Sequence, residues 1–359
     1  MASSTESAAS LPPAPDTVAS PPQGPSGAPG CDLAAVDWLP AGFNAGFSYR
    51  DRVQAPEESV AAFYAARHRH SPLEVWLNRL AAGEIWRNGQ RLHGDGPLRA
   101  GDHLRWRRPP WREEAVPARW RVVHDDGDLH VIDKPSGLPV LPAGGWLDHT
   151  VLRLMERRHR QDPCGVPRPV HRLGRFTSGL LVCARQASSR RWLSARLRES
   201  TAALAGPEGA PPPCRKVYEA LLVPGRLPAT LAPGEVLTLT TAIGRRPHPR
   251  LGWIWCAALV ERPGDLAALS RLTLLERGAA GDRVEVAIAS GRPHQIRIHC
   301  AALGAPLLGD PLYLPGGLAR EERLPGEGGY QLRARRLELS RPDGSRLRLV
   351  AGSREGAGP

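Results

Sequence analysis

The side chains that could do chemistry gather in three stretches: "HRLGRFTSGLLVCAR" (171–185), "CRKVYEALLV" (214–223) and "SGRPHQIRIHCAALGAPLLGDPLY" (290–313). Arg172 offers a long, planar cation, and Arg297 stands between Ile296 and Ile298, as a guanidinium held in one place by apolar neighbours would. Tyr218 opens an apolar strand. Taken singly, such a tyrosine is more often core and such an arginine more often surface. His171, His294 and His299 could do acid–base work or bind a metal. The six cysteines (Cys31, Cys164, Cys183, Cys214, Cys256, Cys300) show no CxxC pair and no histidine at zinc-finger spacing. They are expected to be free thiols in a reducing compartment, without disulfide or metal.

Elements that could position these groups follow from the rest of the chain. A length of 359 residues with a hydrophobic fraction of 41% suits two folded units plus tails. No apolar run nears the roughly 18 residues a membrane span needs. Lys+Arg exceed Asp+Glu by 48 − 36 = 12, which favours a polyanionic partner, RNA or DNA first. The first 30 residues are rich in Pro, Ser, Ala and Gly and lack both an apolar core and arginine. They are expected to be a disordered tail and neither a secretory nor an organellar signal, so the location expected is cytoplasmic or nuclear, with organellar import still open.

Within 71–111, Leu73, Val75, Trp76, Leu77, Leu80 and Ala81 predict a short amphipathic helix ended by Gly83. A strand over 84–87, a turn at Asn88-Gly89 and a strand over 103–107 follow. Arg79, Arg87, Arg91, Arg105, Arg107 and Arg108, with Trp106 and Trp111 among them, would offer charge and stacking surface to RNA. Further on, strands are expected at 120–123, 129–132 and around Val284–Ile288, and a helix over 149–159. A last helix would carry Pro293 in its first turn and stop at Gly304. Strands interleaved with a few helices, without a regular βαβ repeat, indicate α+β with a mainly antiparallel sheet.

The segment "RLAAGEIWRNGQ…LRAGDHL" resembles the alpha-L RNA-binding module. Together with "DDGDLHVIDKPSGLPVLP" (125–142), the three chemical stretches resemble the RluA-like RNA pseudouridine synthases over about residues 119–350. The organisation implied is a tail (1–30), an N-terminal region (31–115) with a small α/β RNA-binding module at about 71–111, a catalytic domain (116–350) and a second tail (351–359). For the catalytic domain the resemblance implies a mixed, mainly antiparallel bent sheet flanked by helices. It also implies uridine isomerisation in tRNA or rRNA, no cofactor, no metal and a monomer. Arg172 would displace the target uridine from its stack, Tyr218 would pack on the base, and Arg297 would pair with the catalytic carboxylate. Thr177, Arg292 and His294 would line the substrate site.

At the position of the family's catalytic aspartate stands Gly174. Glycine can be neither nucleophile nor base, and its presence deprives Arg297 of its usual partner. A replacement charge is expected from an RNA phosphate or a carboxylate of another segment; Asp148 and Asp162 are nearby in sequence, though neither matches a family position. Milder departures are Ser290 and Pro293 beside "GR", and Arg333 where the family often has histidine. The stretches 205–213 and 315–329 read as surface loops.

Overall fold

The computed structural model describes residues 37–69, 71–199 and 214–352; the tail 1–30 and the 205–213 stretch lie outside them. The N-terminal unit contains β1 (Trp38–Leu39), β2 (Gly42–Phe43), β3 (Phe47–Arg52), α1 (Val60–Arg67), α2 (Leu73–Ala81), β4 (Ile85–Arg87), β5 (Gln90–Arg91) and β6 (His103–Arg108). Four of these strands form a sheet in the order β3-β6-β4-β5, and both helices pack on one face around Tyr64, Trp76, Leu80, Ile85, Leu104 and Trp106. The unit thus takes in 47–67 as well as the stretch that sequence patterning singled out. The β4–β5 turn is at Asn88-Gly89, both residues at positive φ as a tight hairpin requires. Helix α2 buries only Trp76 and Leu80, and leaves Leu73 and Leu77 exposed.

Alternation along β6 overturns one expectation. Leu104 and Trp106 point inward, so Trp106 is core, its indole donating to Glu84 at 3.0 Å, and Trp111 is also buried. Neither offers a stacking surface. The opposite face carries the basic row Arg50, Arg105, Trp86 and Arg91, directly opposite one another on four adjacent strands, with the Arg107 guanidinium 4.1 Å above the Trp86 ring.

A connector of β7 (Arg112–Glu113) and β8 (Val116–Pro117) pairs back on β2 and β1. Its Glu113 is 1% exposed and accepts from the backbone N–H groups of Leu147, Asp148 and His149 at 2.9, 3.1 and 2.8 Å and from Asn44 Nδ2 at 2.5 Å. One carboxylate therefore fastens the N-terminal unit to a loop of the larger domain.

That domain comprises β9 (Arg121–Asp125), β10 (Leu129–Lys134), α3 (Val151–Arg158), β11 (Arg168–Pro169), β12 (Thr177–Ala184), α4 (Ala187–Glu199) and β13 (Cys214–Leu222). It continues with β14 (Val236–Leu239), β15 (Ile243–His248), β16 (Gly252–Ala257), β17 (Ser270–Glu276), β18 (Asp282–Ile288), α5 (Gln295–Ala302), β19 (Leu332–Ser340) and β20 (Arg346–Val350). The main sheet runs β14-β17-β18-β13-β19-β12-β10-β9, with β11 on β12 and β20 on β19, and is antiparallel except at β12·β19. The protein is α+β, as its patterning indicates. At the parallel seam Gly179 has φ +98, and a β-carbon there would overlap the Ala334 backbone, so only glycine fits. Chain order continues through Ala351, which is buried and donates to the Arg335 carbonyl. Among the described residues no helix is long and apolar enough to cross a membrane.

Replacing Glu113 with alanine strands four donors in a dry joint. Glu113→Ala is expected to cost about 3 kcal/mol of stability in urea unfolding and to open residues 109–118 to limited proteolysis.

Candidate active site

The site forms at the start of β12, where separate stretches are strapped together. Lys134, at the end of β10, is fully buried and donates to the carbonyls of Pro135, Leu138 and Arg175 at 2.8, 2.8 and 3.0 Å. Ser136 Oγ donates to the Phe176 carbonyl, and the Gly137 N–H to that of Arg175. The "DKPSG" segment thereby grips the turn that holds Gly174, which closes with the Thr177 N–H donating to the Gly174 carbonyl at 3.0 Å. Arg175 points away from the turn, its guanidinium over Trp146 at 4.3 Å and near Glu114.

Helix α5 supplies the second wall. Its N-cap is His294, in the left-handed region at φ 54 without a side-chain cap, while Pro293 precedes the cap and lies outside the first turn where patterning put it. A non-glycine residue there carries about 1–3 kcal/mol of strain and persists only when its surroundings fix it. Tyr313 does so: its hydroxyl donates to the Trp255 carbonyl at 2.9 Å, so His294 Nδ1–H donates to that hydroxyl at 2.7 Å. Burial, then the positive charges of Arg297 and Arg172, push the His294 pKa down to about 3, which keeps the ring neutral. Arg172 is exposed and near enough for its charge to be felt at His294. Arg292 lies at the entry to α5, with Nε donating to the Ala267 carbonyl. His171 belongs to the scaffold: Nε2 accepts the Val182 N–H, and burial pushes its pKa down to about 4.

Arg297 is 3% exposed and forms a two-pronged pair with Asp310, Nε to Oδ2 and NH2 to Oδ1 both at 2.7 Å. Asp310 also accepts from the backbone N–H groups of Leu312 and Tyr313. The replacement charge therefore comes from the "GDPLY" turn, and the two acids nearer in sequence are engaged elsewhere. Asp148 faces Arg157 at 3.6 Å, and Asp162 is held by His159 and by Arg185, just past the far end of β12. Asp310 stood within a quoted stretch, but nothing in its spacing from Arg297 singles it out.

Tyr330, also missed, lies with its ring centroid 4.2 Å from the Arg297 guanidinium and its hydroxyl 3.4 Å from Thr177 Oγ1. Tyr218 sits one register step along the seam, opposite Ala334, where β19 carries an extra residue, Arg335, against β13. Such a bulge re-aims neighbouring side chains. Tyr218 packs against both halves of the core, and burial raises its phenol pKa. Arg333, in the family's histidine position, pairs with Asp133 at 2.7 Å. Gly174, Thr177 and Arg297 therefore meet around Tyr330, and His294 lies close to Arg297 and Arg172. Arg79, Arg87, Arg105, Arg107 and Arg108 belong to the N-terminal unit; Arg79 and Arg108 lie against Trp76 and Trp111, and Arg87 is tied to the Pro97 carbonyl.

This arrangement of sheet seam, strapped turn and arginine-bearing helix matches a known class. Residues 128–203 match the RNA pseudouridylate synthase family. The chain is 41% identical over 277 residues to an uncharacterized RNA pseudouridine synthase of Synechocystis sp., covering 77% of this chain and 87% of that one. It is 32% identical over 338 residues to RNA pseudouridine synthase 5 of Arabidopsis thaliana, covering 82% and 89%. With ribosomal large subunit pseudouridine synthase D of Pseudomonas aeruginosa the identity is 29% over 303 residues, covering 79% and 84%. A solved structure of human RNA pseudouridylate synthase domain containing 1 is 24% identical with a TM-score of 0.46, covering 66% of this chain and 84% of that one. The chain belongs to the RNA pseudouridine synthases, in their RluA-like branch.

Two measurements probe the site's supports. Asp310→Ala leaves a buried guanidinium unpaired and is expected to cost about 3–5 kcal/mol in urea unfolding, with Asp310→Asn costing less. Burial, with the nearby charge of Arg175, lowers the Lys134 pKa from 10.5 to about 7. Between those values the unfolded chain holds the extra proton, so stability should rise with pH across this window, by up to about 1.4 kcal/mol per unit from this group. Below it, both states are protonated and the group's contribution is flat. Lys134→Met should remove that slope.

Proposed function

We propose that the chain is an RNA-modifying enzyme that draws a uridine out of structured RNA, tRNA or rRNA, and isomerises it to pseudouridine in the cleft around Gly174. The observation that carries this reading is the Arg297–Asp310 pair, an expensive buried charge kept fully neutralised beside the cleft although residue 174 has no carboxylate. In the family's terms, Arg172 enters the stack the uridine leaves, Tyr218 packs on the base, and Thr177, Arg292 and His294 shape the pocket. The N-terminal unit supplies a second contact. Like charges directly opposite on a sheet repel, as Arg50 and Arg105 do here, and a phosphate backbone would relieve that repulsion. The described cysteines are all unpaired, which supports a reducing compartment, cytoplasmic or nuclear.

Gly174 itself favours a second reading, an RNA-binding or remodelling factor without turnover. Purified protein incubated with total RNA from source cells lacking it separates the two. New pseudouridine, counted by mass spectrometry, is the expected result, and its absence with salt-dependent RNA binding retained would transfer the function to the second reading. Loss of both would sink the two together. Arg50→Glu with Arg105→Glu is expected to weaken binding of that RNA at least tenfold and to flatten its dependence on log salt.

A further inference from the structure

The glycine at 174 is not required by the backbone. Its φ lies outside the left-handed region that Gly89 and Gly179 occupy, and the turn it begins would accept any residue. What excludes a side chain is space: a β-carbon on Gly174 would overlap the Tyr330 hydroxyl and lie 3.3 Å from Thr177 Oγ1. Gly174 is itself exposed, so this hydroxyl lies directly under a residue that solvent reaches.

Tyr330 is fixed there. It is 5% exposed, its ring faces the Arg297 guanidinium at 4.2 Å and meets Phe176 edge-on at 6.0 Å, and its hydroxyl is within reach of Thr177. The nearby carboxylate is no competitor for the reacting position. The Asp310 side chain is 1% exposed, with both oxygens committed to Arg297 and one of them also to two backbone donors.

We propose that Gly174 and Tyr330 are one functional unit: the glycine admits the Tyr330 hydroxyl to the space a side chain at 174 would fill, and that oxygen meets the ribose of the bound uridine. The inference rests on the isomerase reading above. Tyrosine serves as the nucleophile at an anomeric carbon in other enzymes. Here Oη adds to C1′ as the C1′–N1 bond breaks, the bond's electron pair leaves with N1, and the phenolic proton passes to N1. The base turns, C5 attacks C1′, and the C1′–O bond breaks to return the phenolate, which takes the proton from C5. An N1–C1′ and a C5–H bond are exchanged for C5–C1′ and N1–H, with no other reactant. Arg297 stands beside the ring on which negative charge comes and goes.

The experiment uses full-length protein and total RNA from source cells lacking it, reading pseudouridine by mass spectrometry and RNA affinity by filter retention. Tyr330→Phe is expected to slow pseudouridine formation by about 100-fold or more while leaving affinity within about twofold. Gly174→Ala should do the same by displacing the hydroxyl, and Gly174→Asp combined with Tyr330→Phe, which clears the space for a carboxylate, should recover activity. Circular dichroism melts identify any variant that has merely unfolded, and Gly174→Ala tests the unit with Tyr330 still present. Activity of Tyr330→Phe within about threefold of wild type overturns the proposal. So does a wild type that binds the RNA but forms no pseudouridine while the double variant forms it, an outcome that leaves RNA and uridine recognition standing. If neither protein binds the RNA, the functional reading itself fails, and the proposal with it.

Discussion

A guanidinium almost entirely removed from water must be neutralised where it stands, and this domain arranges itself around that requirement. Arg297 gains both oxygens of Asp310, and Asp310 gains two further backbone donors, so the pair leaves little charge unsatisfied. Such a pair adds little net stability over a well-packed apolar core, yet losing either half is costly, so it constrains geometry more than it stabilises. The consequences spread outward. The Asp310 turn delivers Tyr313, which holds His294 in its left-handed cap and so sets where α5 begins. The Arg297 face holds the Tyr330 ring at the entrance to β19.

Lys134 plays the corresponding part on the opposite wall. Three carbonyls from two segments converge on one amine, and two of the quoted stretches, some 40 residues apart in the chain, become one surface. The sheet completes the assembly. Among the described strands its one parallel seam brings Thr177 level with Leu332 and Gly179 level with Ala334, and the bulge at Arg335 puts Tyr218 opposite the same residue. Tyr218 and Gly174 are thereby related through β19, an element distant from both in sequence.

Much of this is legible in the sequence wherever the controlling interaction is local. The Asn88-Gly89 hairpin, the stop at Gly83 and the helix expected over 149–159, which runs Val151–Arg158 behind a Thr150 cap, are governed by residues within one turn of each other. Legibility fails where the partner is remote. Nothing in the spacing of Arg297 selects Asp310 over Asp148 or Asp162, because the choice is made by a loop that returns to α5. Trp106 reads as a stacking surface by composition, but the period of β6 turns it inward with Leu104 and turns Arg105 and Arg107 outward. Tyr330 escapes for another reason: a glycine in a catalytic position reads as a missing group, and the atom occupying the vacated space comes from residues the motif does not include.

That shared space bears on how such a site can change over generations. Two residues that exclude one another cannot be exchanged one at a time without passing through an intermediate in which they collide, or one in which neither oxygen is present. Aspartate at 174 first meets the hydroxyl of Tyr330, and removing that hydroxyl first leaves the floor bare. On the proposed chemistry the two positions are therefore coupled: a side chain enters at 174 only as the Tyr330 hydroxyl moves aside or is lost, so a change at one position sets what the other can hold.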